Sequence, residues 1–231
     1  MRQIRNYGDE RQLSKCVYCS TSDTSTRDHV PSKALLDEPF PENLPVVPAC
    51  EACNNSFSGD EEYLACLIDC VLAGEVDSEK VRRSKVRRLL RERPALASRL
   101  LEARTIKGNE IRFAAEEARV RNVVMKLARG HAAYELNEPQ FDEPLSYSVI
   151  PLVLLTNDQR ESFEVVDDGI ALWPEVGSRA MTRLFEGYDL EPGLWITVQP
   201  GRYRYMATIA DGIIVRMVLS EYLACQVIWD F

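Results

Sequence analysis

Two Cys-x-x-Cys pairs are the residues of this chain best suited to chemistry. Cys16 and Cys19 form the first pair, and Cys50 and Cys53 form the second. Four thiolates can bind one zinc ion in a closed, tetrahedral site, which is typical of structural zinc. The 30 residues between the pairs exceed the roughly 15–20 of a plain zinc ribbon, so this spacing leaves room for a further unit.

The segment between the pairs contains Asp28-His29, and His29 is one of only two histidines in the chain. A neutral imidazole can deprotonate water near neutral pH, and a carboxylate can hold a hard cation against a phosphate. A lone histidine is more often a core or surface residue. Neighbours in a regular strand point to opposite faces, so the two side chains can serve one phosphate only if the strand distorts.

The order of these residues resembles the HNH endonuclease family in its zinc-stapled form. The pattern consists of a first Cys pair, an Asp-His pair, a middle Asn and a second Cys pair followed directly by Asn. In this chain the motif reads Cys16, Cys19, Asp28, His29, Asn43, Cys50, Cys53 and Asn54. The resemblance implies a ββα-metal unit, in which a β-hairpin and a helix hold one catalytic divalent cation.

The resemblance also implies a role for each residue. His29 would be the general base, and Asp28 and Asn54 would hold the catalytic Mg²⁺ or Mn²⁺. Asn43 would hold the loop around His29, although it could equally be an ordinary loop residue. The four cysteines would hold structural zinc.

A metal-dependent DNA endonuclease is therefore the first hypothesis, and small proteins of this family tend to occur in phage defence or in mobile elements. Many relatives carry a lysine three or four residues after the last Asn, whereas this chain has Phe57 and Ser58 there. Lys33 or an arginine could substitute. The alternative is a catalytically weak or inactive zinc module that binds nucleic acid or acts as a scaffold.

Charge is distributed unevenly along a chain whose net charge is −8. Residues 1–78 sum to −8, residues 79–129 to +10 and residues 130–231 to −10. A basic block of this size favours contact with phosphate, and double-stranded DNA is the partner we expect; a solvated helix face is the alternative. The candidate phosphate contacts are Arg82, Arg83, Lys85, Arg87, Arg88 and Arg91.

The resemblance, together with the pattern of apolar residues in the rest of the chain, predicts an α+β protein in three parts. Residues 10–75 would form the zinc-stapled module, with Asp28-His29 at the end of the first strand and a helix ending near Gly74. Residues 79–138 would form two or three basic helices, separated at Pro94 and Gly108. Residues 139–231 would form an antiparallel β-rich part that includes a strand at 153–155 and turns at Pro200-Gly201 and Asp211-Gly212.

Other features of the sequence indicate the cellular location and the roles of the remaining residues. Thiols in metal-binding pairs and the sequence at the N-terminus favour a cytoplasmic protein, and no apolar run is long enough to cross a membrane. Cys66, Cys70 and His131 are expected to be structural. The role of the C-terminal part is open, and it is the candidate surface for a protein partner or a second copy of the chain.

Overall fold

A computed structural model describes residues 14–165, 174–186 and 195–230 of the chain. Residues 10–13 of the predicted zinc module lie outside these ranges. The described residues form two compact units, one drawn from Met1–Ser56 together with Met125–Phe231 and the other from Phe57–Val124. The predicted division into residues 10–75, 79–138 and 139–231 stays a prediction.

The first unit begins with a short antiparallel hairpin. Strand β1 (Thr26–His29) pairs with β2 (Val46–Ala49), and helix α1 (Glu51–Ala73) follows directly. The loop between the strands contains a 3₁₀ turn at Lys33–Leu35. Gly74, at φ +68°, ends α1 as predicted, because glycine adopts this left-handed conformation at little cost.

The second unit contains most of α1 and the basic block. It continues through α2 (Ser84–Glu92), α3 (Pro94–Ala103) and a hairpin of β3 (Arg104–Lys107) and β4 (Glu110–Phe113), and it ends within α4 (Glu117–His131). Among the described helices, none combines the length and apolar character needed to cross a bilayer.

A five-stranded antiparallel sheet forms the C-terminal part of the first unit. The strand order is β5-β9-β8-β7-β6, with every neighbouring pair antiparallel. The strands are β5 (Ser146–Pro151), β6 (Ile196–Gln199), β7 (Tyr203–Ile209), β8 (Ile213–Leu219) and β9 (Leu223–Trp229). The predicted α+β class and the antiparallel C-terminal sheet are thus confirmed.

Two helices lie between β5 and β6 in the chain. They are α5 (Asn157–Glu164) and α6 (Arg179–Glu186). Phe163 of α5 packs with Trp195 and Met206 in a core cluster of the sheet. Helix α5 begins at a capping box in which Thr156 and Gln159 satisfy each other's backbone N–H groups.

One π-helical turn connects α4 to the sheet and to the hairpin. This turn, Ala132–Leu136, packs against β7, β8 and β2. His131 is fully buried, stacks on Tyr205 and lies with Nε2 2.8 Å from the Tyr203 hydroxyl. Burial lowers the pKa of His131 well below its usual value, so the ring stays neutral and structural.

The loop between β1 and β2 is fastened to the sheet as well. Gln199 accepts from the Asp37 backbone N–H (2.8 Å) and donates to its carbonyl (3.0 Å). Arg202 Nε donates to the Asp37 carboxylate at 2.6 Å. The C-terminal sheet therefore supports the N-terminal hairpin from 162–165 residues further along the chain.

Two elements differ from the sequence prediction. The β3–β4 hairpin lies in a stretch predicted to be helical, where Gly108-Asn109 forms a two-residue turn. Residues 152–154 form a 3₁₀ turn instead of a strand, since Pro151 fixes the backbone at the end of β5.

Gly130 sets how closely α4 approaches the end of β1. A Cβ at this position would lie 2.5 Å from Val30 Cγ2, and Val30 is completely buried. We expect Gly130→Ala to lower the free energy of unfolding by about 1–3 kcal/mol through overpacking, measured by denaturant titration.

The matched control is Gly59→Ala, since a Cβ at Gly59 in α1 meets nothing within 4 Å. This control should stabilise the protein by about 0.5–1 kcal/mol because alanine favours the helix. A Gly130→Ala variant as stable as the control would contradict the close packing on Val30.

Candidate metal centre and adjoining polar site

Four cysteines converge where the hairpin meets α1. Cys16 and Cys19 lie in the turn that precedes β1, Cys50 lies between β2 and α1, and Cys53 lies in the first turn of α1. Their four sulfur atoms lie within 4.8 Å of one another. The predicted cluster is confirmed, and among the described residues it is the group of metal-ligating side chains that could hold an ion.

The distance between two of the sulfurs matches the spacing of ligands around zinc. Ligands 2.3 Å from a tetrahedral ion lie about 3.8 Å apart. The Cys19 and Cys50 sulfurs are 3.7 Å apart. The cluster could therefore hold a structural metal such as zinc with little rearrangement.

Backbone hydrogen bonds shape both cysteine turns. The Ser20 N–H donates to the Cys16 carbonyl at 2.9 Å, and Ser20 takes a positive φ of 60° that closes the first turn. In the second turn, the Cys53 N–H donates to the Cys50 sulfur at 3.4 Å, which lowers the pKa of the Cys50 thiol. Burial raises the pKa of Cys53, so a bound cation would be needed to hold both groups as thiolates.

Asp28 is buried, and both of its carboxylate oxygens accept hydrogen bonds. Its carboxylate is reached by Lys126 Nζ, 3.0 Å from Oδ1 and 2.9 Å from Oδ2, and the Tyr18 hydroxyl donates to Oδ2 at 2.7 Å. Asp28 is 7% exposed and Lys126 only 2%. Burying a carboxylate is costly unless it is paired, and here an ammonium ion and a hydroxyl compensate it.

His29 follows Asp28 at the end of β1 and is half-buried. The β1–β2 register is regular through Asp28↔Val47 and His29↔Val46, so the strand does not distort at this pair. Burial, with positive charge from Lys33 and Lys126, lowers the pKa of His29 although Asp28 opposes the shift. The imidazole is therefore neutral at pH 7, as a general base must be.

The two asparagines differ in their surroundings. Asn54 Nδ2 donates to Thr26 Oγ1 at 3.2 Å, and Thr26 in turn donates to the Ala49 carbonyl at 2.8 Å. Thr26 and Asp28 lie two residues apart on β1, hence on the same face. Asn43 lies on the exposed part of the loop between the strands, and its predicted role stays a prediction.

Tyr18 and Lys126 are the two residues of this site that sequence reasoning missed. Tyr18 occupies one of the two unspecified positions of the first Cys-x-x-Cys pair, so the motif assigns it no role. Lys126 interrupts an otherwise apolar stretch of α4, between Met125 and Leu127, which are both buried. A single charged residue inside an apolar helical stretch could have identified Lys126, because a buried lysine needs an anionic or polar partner.

The six basic candidates on and before α2 do not share one environment. Arg83 is 5% exposed and lies 3.7 Å from Asp69, inside the second unit. Arg82, Arg88 and Arg91 are exposed, while Lys85 and Arg87 are partly buried. Surface pairs of Arg88 with Glu92 (4.0 Å) and Arg91 with Glu79 (3.8 Å) are weak, so these side chains can still meet a polyanion.

Cys66 and Cys70 match the structural role expected of them. Both are completely buried in α1, and burial raises the pKa of each thiol to about 12. They are consequently inert thiols at neutral pH.

Comparisons of the chain with protein-family models, with curated proteins and with solved structures found no significant match.

The cysteine cluster predicts one zinc per chain. We expect Cys50→Ser to lose the metal and to unfold the hairpin, since binding to such a site is coupled to folding. Elemental analysis and circular dichroism with and without chelator measure both effects. Cys66→Ala is the control, because it removes a buried thiol outside the cluster and should retain zinc; zinc loss in both variants, or in neither, would contradict the assignment.

Proposed function

We propose that this protein is a metal-dependent endonuclease of the HNH type that hydrolyses phosphodiester bonds in DNA. Two antiparallel strands followed directly by a helix are the element order of a ββα-metal unit. The cysteine cluster joins the hairpin to the helix. Asp28 and His29 end the first strand, and Asn54 lies in the first turn of the helix.

The bond between Asn54 and Thr26 is the observation that carries this proposal. It fixes the first turn of α1 against the strand face that also carries Asp28. A carboxylate and an amide carbonyl are oxygen donors of the kind that Mg²⁺ and Mn²⁺ prefer. This contact supports the proposal that Asp28 and Asn54 share one cation.

His29 supplies the proton acceptor in the proposed reaction. Its lowered pKa leaves Nδ1 or Nε2 unprotonated at neutral pH, ready to take a proton from an attacking water. A divalent cation held by Asp28 and Asn54 would stabilise the charge that develops on the phosphate.

The second candidate function is a nucleic-acid-binding or scaffold module without turnover. Two observations favour it. The contact between Lys126 and Asp28 places an ammonium ion on the carboxylate that the cation would need, and the regular register of β1 points the Asp28 and His29 side chains to opposite faces of the strand. The phosphate-binding surface is common to both candidates. Cleavage assays separate them.

We expect His29→Ala to reduce Mg²⁺- or Mn²⁺-dependent relaxation of plasmid DNA by about 10²–10⁴-fold, the usual cost of losing a general base. Zinc content and DNA affinity should stay close to those of the wild type. Ser25→Ala, an exposed change just before β1, is the control and should cut normally. If His29→Ala cuts as fast as this control, His29 is not the base; if the wild type never cuts, the scaffold function is favoured.

Binding through α2 predicts a strong salt dependence. Lysine and arginine contacts to phosphate release counterions, so log affinity falls linearly with log salt concentration. Reversing Arg82 and Arg88 to Glu should weaken binding to all duplexes alike and reduce the slope by about two. Fluorescence anisotropy titrations at several salt concentrations measure both quantities.

Lys107→Glu with Arg160→Glu provides the matched control. Both residues are exposed, and the net charge changes by the same amount. If the two double variants give superimposable curves, total charge rather than α2 controls DNA binding.

A further inference from the structure

The carboxylate of Asp28 is the only donor of the proposed cation site that already carries a positive partner among the described residues. Lys126 Nζ lies 3.0 Å from Oδ1 and 2.9 Å from Oδ2, so the ammonium group spans both oxygens. Tyr18 takes a further acceptor position on Oδ2. A carboxylate offers about four acceptor positions, and these contacts use most of them.

The ammonium and a divalent cation would be like charges on one small buried group. Asp28 and Lys126 are 7% and 2% exposed, so water screens the repulsion between them poorly. The two cations therefore cannot both bind Asp28 at full strength. Binding of the divalent cation must weaken the contact of the Lys126 ammonium group with Asp28, and the reverse also holds.

Lys126 itself lies in apolar surroundings that favour its pairing with Asp28. Met125, Leu127 and Ala128 surround it along α4 and are buried and apolar. A lysine in such surroundings is stable as a cation only beside an anion. The ammonium group and the carboxylate thus neutralise each other when no divalent cation is present.

We propose that Lys126 is the resident counter-ion of the candidate active site and competes with the divalent cation for Asp28. This inference rests on the proposed function in taking Asp28 as the ligand of the cation. Lys126 keeps the buried carboxylate compensated in the metal-free protein and sets a low affinity for the cation. The affinity is then highest when the ammonium group is removed.

The test is a titration of the full-length, zinc-loaded protein with Mn²⁺, in which electron paramagnetic resonance measures free Mn²⁺. Lys126→Met removes the charge and keeps the length of the side chain. We expect it to bind Mn²⁺ at least about tenfold more tightly than the wild type, and Asp28→Asn to abolish this binding. Lys126→Arg retains the charge and should bind as weakly as the wild type.

The rise in Tm on adding Mn²⁺ provides a second readout, because a purely structural ion pair would not change it. Lys126→Met should be destabilised without metal, and millimolar Mn²⁺ should raise its Tm much more than that of the wild type. Where the Met variant does not fold, Lys126→Gln gives the same test, since its amide can still donate to Asp28.

The outcomes separate this inference from the proposed function. Equal Mn²⁺ affinity in wild type and Lys126→Met overturns the competition, even if the wild type cuts DNA and His29→Ala does not. Tighter Mn²⁺ binding in Lys126→Met without any cleavage by the wild type supports the competition and overturns the nuclease proposal. Absence of Mn²⁺ binding in every variant overturns both.

Discussion

The hairpin that carries Asp28 and His29 is too small to be stable alone. Each strand has four residues, and an isolated two-stranded hairpin is marginal in water. At one end, four cysteine sulfurs lie close enough to hold a metal ion, and at the other, the absence of a side chain at Gly130 allows close packing on Val30. The position of the candidate site depends on these two supports.

A third support comes from far along the chain. Asp37, in the loop between the strands, is bound by Gln199 and Arg202 at the β6–β7 turn. The C-terminal sheet is a firm support for this loop because its strands pair in antiparallel register. Helix α5 packs on one face of the sheet and the π-helical turn packs on the other. The sheet thus has a definite structural role in the first unit, whatever else its surface binds.

Local chemistry made part of this arrangement predictable. Cys-x-x-Cys spacing predicted the cluster, Gly74 predicted the end of α1, and Pro200-Gly201 predicted a turn, because each signal acts within a few residues. Gly108-Asn109 was an equally local hairpin signal, and it was overlooked because helices flank it on both sides. The pairing of Asp28 with Lys126 spans 98 residues and leaves no periodic pattern in the sequence. Only the packing of α4 against β1 brings these two residues together.

Tyr18 links the two chemical centres of the first unit. It lies between Cys16 and Cys19, and its hydroxyl donates to Asp28 at 2.7 Å. A metal that fixes both sulfurs also fixes the backbone that carries this ring, and so restrains one donor to the buried carboxylate. Loss of that metal would release this restraint on the Tyr18 hydroxyl, and the ammonium of Lys126 would then be the main partner of the buried carboxylate. A metal in the cysteine cluster would therefore do more than hold the fold: through Tyr18, it would restrain a hydrogen-bond donor to the residue on which the proposed chemistry depends.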